Sequence, residues 1–132
     1  MKPRPILILP AEREVLHACL DVCQIHPKIA WAYRMNVGGF RNEHGQFVKF
    51  GFKGCSDIIG QITDGRFFAW EVKRPGKKPT ADQRAFLEVV AWTGGVAGWC
   101  DDGMVLMQCL DSLGSVDSPK LGIIDGVIPT QH

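Results

Sequence analysis

With 132 residues the chain can build one domain with a real core but not two well-packed ones. Hydrophobic residues make up 45% of it and charged residues 22%, which argues against a disordered chain, and no apolar run approaches the roughly 18 residues of a spanning helix. Net charge is only +1, yet residues 49–84 carry eight basic and four acidic side chains whereas residues 85–132 carry one and six. The middle of the chain therefore suits a polyanionic partner, with the acidic end turned away from it.

Met1 to Pro5 is basic, but only Ile6 to Leu9 follow before Pro10, far short of the apolar stretch of a signal peptide, so a cytosolic location is expected. Ala11 to Ile25 reads as a helix, because Val15, Leu16, Cys19, Val22 and Cys23 recur at helical spacing before His26-Pro27 ends the run. Ile29 to Val37 reads as a strand broken by Gly38-Gly39. A turn at Asn42 to Gly45 leads into a second strand, Gln46 to Phe52, and these two strands are expected to form a hairpin.

Asp57 to Ile62 and Phe67 to Lys73 make the next strand pair around Thr63-Asp64-Gly65-Arg66. Arg74 to Pro79 is too rich in glycine and proline for a strand and reads as a loop. Thr80-Ala81-Asp82-Gln83 matches a capping box, opening a helix with Phe86, Val89, Val90 and Thr93 on one face that stops at Gly94-Gly95. Val96 to Cys100 is a further strand and Met104 to Leu113 a helix. The tail from Ser115 is irregular apart from a candidate strand at Ile123-Ile124. The order α-β-β-β-β-α-β-α defines a single α/β domain, a mixed β-sheet flanked by helices.

Five cysteines without C-x-x-C spacing favour free thiols over disulfides or zinc. His17, Cys19, Cys23 and His26 can be assembled into a metal site on paper, but Cys19 and Cys23 lie one helical turn apart on the apolar face, where core cysteines are the better reading.

Chemistry concentrates in Phe67 to Lys73. Alternation along a strand sets Ala69, Glu71 and Lys73 on one face and Phe68, Trp70 and Val72 on the other. Taken alone, Glu71 and Lys73 could be an ordinary surface ion pair. Asp57 changes the balance. A two-residue turn at Asp64-Gly65 would set Asp57 opposite Val72, whereas a three-residue loop with Gly65 as a left-handed bulge residue sets it opposite Glu71, and the second register is expected. Two facing carboxylates repel unless a divalent cation lies between them. Magnesium or manganese, held by Asp57 and Glu71 with the Val72 carbonyl as a further ligand, would polarise a phosphate, and Lys73 would orient a water or stabilise developing charge.

Gly54-Cys55-Ser56-Asp57, then Gly65 to Lys73, then Thr80-Ala81-Asp82-Gln83-Arg84-Ala85-Phe86 resemble the PD-(D/E)XK nuclease superfamily, specifically its VRR-NUC (virus-type replication-repair nuclease) branch. The likeness covers about residues 12–100. It departs at Ser56, where the superfamily pattern has proline. The resemblance implies a restriction-endonuclease-like fold and a first-helix glutamate beside the metal. Glu12 is chosen for that role over Glu14, although either is also a favourable acid in a first helical turn. It implies a supporting role for Gln83, which the capping box also explains, and a backbone-contacting role for Arg34 and Asn36. The charge pattern adds Lys49, Lys53, Arg74, Lys77 and Lys78 as phosphate contacts.

Short proteins of this branch, from phages or bacteria, resemble Holliday-junction resolvases that act as homodimers. The expectation is a structure-selective DNA endonuclease of junction-resolving or repair type, in the cytoplasm of a bacterial or phage-infected cell. A flap, single-strand or duplex-end nuclease and a catalytically idle DNA-binding subunit remain the alternatives.

Overall fold

The computed structural model describes residues 10–35, 38–50 and 52–126, with residues 38–40 and 48–50 described through their backbone alone. In chain order the elements are α1 (Glu12–Ile25), β1 (Ile29–Arg34), β2 (Gly38–Arg41), β3 (Phe47–Phe50), β4 (Ile58–Ile62), β5 (Phe67–Val72), α2 (Ala81–Trp92), β6 (Val96–Cys100), α3 (Gly103–Asp111) and β7 (Ile124–Gly126). Five strands form one sheet in the order β1-β4-β5-β6-β7, antiparallel from β1 to β5 and parallel from β5 to β7. The expected class, an α/β domain with a mixed sheet flanked by helices, is what the chain forms. Among the described residues no helix is long and apolar enough to cross a membrane.

The two sheet faces are covered unequally. On one, α1 and α3 bury Val15, Leu16, Cys19, Leu106 and Leu110 against Ile58, Ile62, Phe68, Trp70 and Val72. On the other, α2 packs Leu87, Val90 and Ala91 onto Ala69, Ala97 and Trp99 of β5 and β6, leaving β1 and β4 uncovered by a helix. Expected and observed faces of α2 differ here. Val89 is 61% exposed and Leu87 is fully buried; both stripes fit the helical repeat equally well, and packing on Ala69, Ala97 and Trp99 selects the one through Leu87, Val90 and Ala91.

The first hairpin also departs from expectation. β1 pairs with β4, not with the strand at 47–50, and Gly38-Gly39 opens β2 rather than breaking a strand. Local chemistry decides this. The Asn42 side-chain oxygen accepts from the backbone N–H of His44 at 2.9 Å and of Gln46 at 3.0 Å, and Gly45 takes φ 76°. That turn joins its immediate flanks, pairing Arg41 with Phe47. The end of β1 is tied elsewhere, since Met35 N–H donates to the Asp57 carbonyl at 2.7 Å.

All five cysteines are free thiols, four of them buried. Cys19 Sγ lies 3.4 Å from Cys100 Sγ across the α1–β6 contact, while His26 Nε2 is engaged with Asp111 at 2.8 Å. The helix-face reading of Cys19 and Cys23 as core residues describes them correctly.

Candidate active site

The β4–β5 turn sets the site. Gly65 adopts φ 102°, its N–H donates to the Ile62 carbonyl at 2.9 Å, and Ile62 N–H donates to the Arg66 carbonyl at 2.8 Å. This is a three-residue loop with a left-handed glycine, a backbone conformation costly for residues bearing a Cβ. Its register pairs Ile58 with Trp70 and Ile59 with Ala69, so Asp57, one residue beyond the ladder, stands opposite Glu71. Asp57 Oδ2 accepts from Val72 N–H at 2.9 Å, which fixes its carboxylate against the end of β5.

The segment before Asp57 is moulded to α2. Gly54 has φ 88°, and a Cβ there would collide with the Asp82 carbonyl. Ser56 is fully buried and its hydroxyl donates to the Ile58 carbonyl at 2.9 Å, so the serine at this position secures the start of β4. Burial, Glu71 and Asp57 together push the Cys55 thiol above its ordinary range.

Glu71 is only 2% exposed. Gln83 Nε2 donates to its Oε1 at 3.3 Å, and its Oε2 is a buried side-chain atom with no hydrogen-bond partner among the described residues. Burial first, and the Asp57 carboxylate second, push Glu71 from 4.5 up to about 10, with Glu12 adding to the rise and Lys73 opposing it. That Lys73 and Glu12 are felt at Glu71 puts the lysine just after β5 and the first turn of α1 in the same electrostatic neighbourhood. Lys73 is half-buried, and its backbone N–H is held by the Cys100 carbonyl at 2.9 Å.

Gln83 closes the capping box and also reaches Glu71. Its backbone N–H donates to Thr80 Oγ1 at 3.3 Å, and its Oε1 accepts from Thr80 N–H at 2.9 Å, closing the capping box. Its remaining amide hydrogens then face Glu71. The first turn of α2 is thus coupled to the carboxylate pair through one side chain.

Of the remaining expected residues, Glu12 opens α1 and is exposed, and Arg34 ends β1, also exposed. Lys53 pairs with Asp82 at 3.2 Å on the surface. Arg74, Lys77 and Lys78 lie exposed on the loop after β5, where Arg74 and Lys77 line a groove of about 340 Å³ with Pro10 and Ala11, just before α1. Asn36 and the side chain of Lys49 lie outside the described residues. A network the motif reading passed over flanks the pair. Trp99, opposite Glu71, donates from Nε1 to Asp125 Oδ1 at 2.8 Å, and Arg84 meets the same oxygen at 3.1 Å. Trp99 first, then Arg84, hold Asp125 below the usual carboxylate range. No motif marks Asp125, because it comes from a three-residue strand at the far edge of the sheet.

Among the described residues no three His, Cys, Asp or Glu side chains converge on one point. The donor set is a carboxylate pair with adjacent backbone, and its orphaned buried oxygen fits a hard divalent cation completed by water and substrate oxygens. Comparison of the chain with protein-family models, curated proteins and solved structures finds no match.

Proposed function

We propose that the protein is a magnesium- or manganese-dependent deoxyribonuclease of the PD-(D/E)XK type, in its VRR-NUC branch, that hydrolyses phosphodiester bonds in branched DNA as a homodimer. One observation carries the reading: Glu71 Oε2 is buried without a hydrogen-bond partner among the described residues, beside Asp57 and within the electrostatic reach of Lys73. Two carboxyls brought together, one of them buried, destabilise a fold unless something positive joins them. A shared cation accounts for the pair, and in its absence the proton that Glu71 retains beside Asp57 takes its place.

When bound, the cation supplies polarisation of a phosphate oxygen and a water that ionises near neutral pH. Asp57 and Glu71 would hold it, with the Val72 carbonyl as a further ligand. Val72 N–H and Gln83 orient the two carboxylates, so little reorganisation is left for the reaction. Lys73 offers its ammonium to the phosphoryl oxygens as charge develops there, and Glu12 adds a carboxylate from the first turn of α1. Arg34, Asn36, Lys49, Lys53, Arg74, Lys77 and Lys78 are assigned to the phosphate backbone, contacts that give affinity without sequence choice. A two-fold dimer presents two such sites to two strands.

The test is cleavage of labelled four-way junction, flap, single-stranded and linear duplex DNA with magnesium, manganese or EDTA. Metal-dependent cutting of a branched substrate that disappears in Asp57→Ala and Lys73→Ala is expected. Binding of every substrate with no cutting would replace the enzyme with a DNA-binding subunit.

A further inference from the structure

The sheet face that carries Asp57 and Glu71 is only half covered. Residues paired directly across strands share a face, so Trp31 with Gln61, Tyr33 with Ile59, Ile59 with Ala69 and Gln61 with Phe67 lie on the side that α2 covers over β5 and β6. Beyond α2 no helix covers that side among the described residues. Trp31 is 39% exposed, Tyr33 68% and Phe67 40%. The Trp31 and Tyr33 rings lie 5.9 Å apart, and Trp31 Nε1 donates to Gln61 Oε1 at 3.0 Å, which holds the indole over β4.

We infer that this strip is a stacking surface for the bases of unpaired DNA, delivering a single strand to the carboxylate pair. The inference rests on the nuclease reading for the strand's destination, but it concerns a separate set of residues. The strip is continuous with the site, since Tyr33 pairs with Ile59 and Asp57 lies two residues before Ile59, about 7 Å from it at the strand rise. Charge complements a polyanion at the end of the strip nearest Asp57, where Arg74, Lys77 and Lys78 lie exposed on the loop after β5. The surface is aromatic with an amide beside it. Such rings stack on any base, whereas a duplex keeps its bases stacked on one another and has none to offer. The substrate class is therefore DNA in which an unpaired arm leaves the site of cutting.

Binding measured in EDTA separates this surface from the chemistry. Fluorescence anisotropy would compare a labelled 15-nucleotide oligodeoxythymidine, the same length of abasic strand, and a duplex, on wild type, Trp31→Ala/Tyr33→Ala and Trp31→Phe/Tyr33→Phe. The wild type is expected to bind the thymidine strand at least tenfold tighter than the abasic one. The double alanine variant should lose about tenfold or more for thymidine alone, with the phenylalanine pair restoring most of it. Equal binding of thymidine and abasic strands by the wild type would overturn the inference. So would an unchanged affinity in the alanine variant, including the case where that variant sediments as monomer and the wild type as dimer, which would make the strip an interface between copies. Asp57-dependent cleavage by the alanine variant, with thymidine affinity intact, would refute the stacking surface and spare the nuclease. Base-dependent binding without any metal-dependent cleavage would do the reverse.

Discussion

Replacing Glu71 by glutamine should make the metal-free protein more stable, and increasingly so as pH rises. In the folded chain the Glu71 carboxyl is held up to about 10 from 4.5, chiefly by burial and then by Asp57. An acid whose folded value is raised contributes stability that is complete below the unfolded value and is lost as pH climbs through the folded one. At pH 8 the unfolded chain has released this proton and the folded chain retains it. At roughly 1.36 kcal/mol per pH unit, the interval from 4.5 to 8 is worth at most about 5 kcal/mol of lost stability. Glutamine is neutral throughout and escapes this loss. Its carbonyl can accept from Gln83 as Glu71 does now, and its amide can donate toward Asp57. For a chain of this size each kcal/mol moves the melting temperature by about 3–4 °C. Thermal melts of wild type and Glu71→Gln in EDTA at pH 5, 6.5 and 8 should nearly coincide at pH 5 and separate by several degrees at pH 8, the variant melting higher. A variant that melts at or below the wild type at pH 8 would refute the claim that two carboxyls are forced together at a cost to the fold.

The same proton predicts that magnesium affinity rises with pH between about 6 and 9, because the cation must displace it. Titration calorimetry in buffers of different ionisation enthalpy should show net proton release, and a pH-independent affinity would contradict the ligand assignment. Gln83→Ala and Thr80→Ala each open the capping box and should cost about 1 kcal/mol in denaturant melts. Only Gln83→Ala should also depress cleavage, since only Gln83 touches Glu71. Gly54→Ala should cost about 1–3 kcal/mol, combining its φ of 88° with a Cβ against the Asp82 carbonyl, and Gly65→Ala should cost less, because nothing lies within 4 Å of its added Cβ. Equal losses in chemical melts would show that the fit of the 54–57 segment to α2 is not what matters.

The register of β4 on β5 was legible because one glycine settles it. Only a loop with Gly65 in the left-handed region puts Asp57 across from Glu71, and that loop forms. Gln83 was legible in both roles because the capping-box spacing and the motif spacing fall on the same residue. The partner of β1 was not, since strand pairing across the 23 residues between Arg34 and Ile58 leaves no local trace whereas the Asn42 turn does. The apolar face of α2 was misplaced by one position because Val89 and Val90 are alike in hydropathy, and only the positions of Ala69, Ala97 and Trp99 distinguish them. An alternating aromatic strand such as Ile29–Arg34 reads as core, so the exposure of Trp31 and Tyr33 needed the knowledge that α2 stops short of β1.

The most direct measurement is strand cleavage of a branched DNA carrying an unpaired arm, followed with magnesium and with EDTA for wild type, Asp57→Ala, Glu71→Gln and Lys73→Ala. The account predicts cutting by the wild type in magnesium alone and its loss in all three variants, each still folded and still bound to the DNA. Cutting that survives EDTA, or persists in Asp57→Ala and Glu71→Gln, would contradict it.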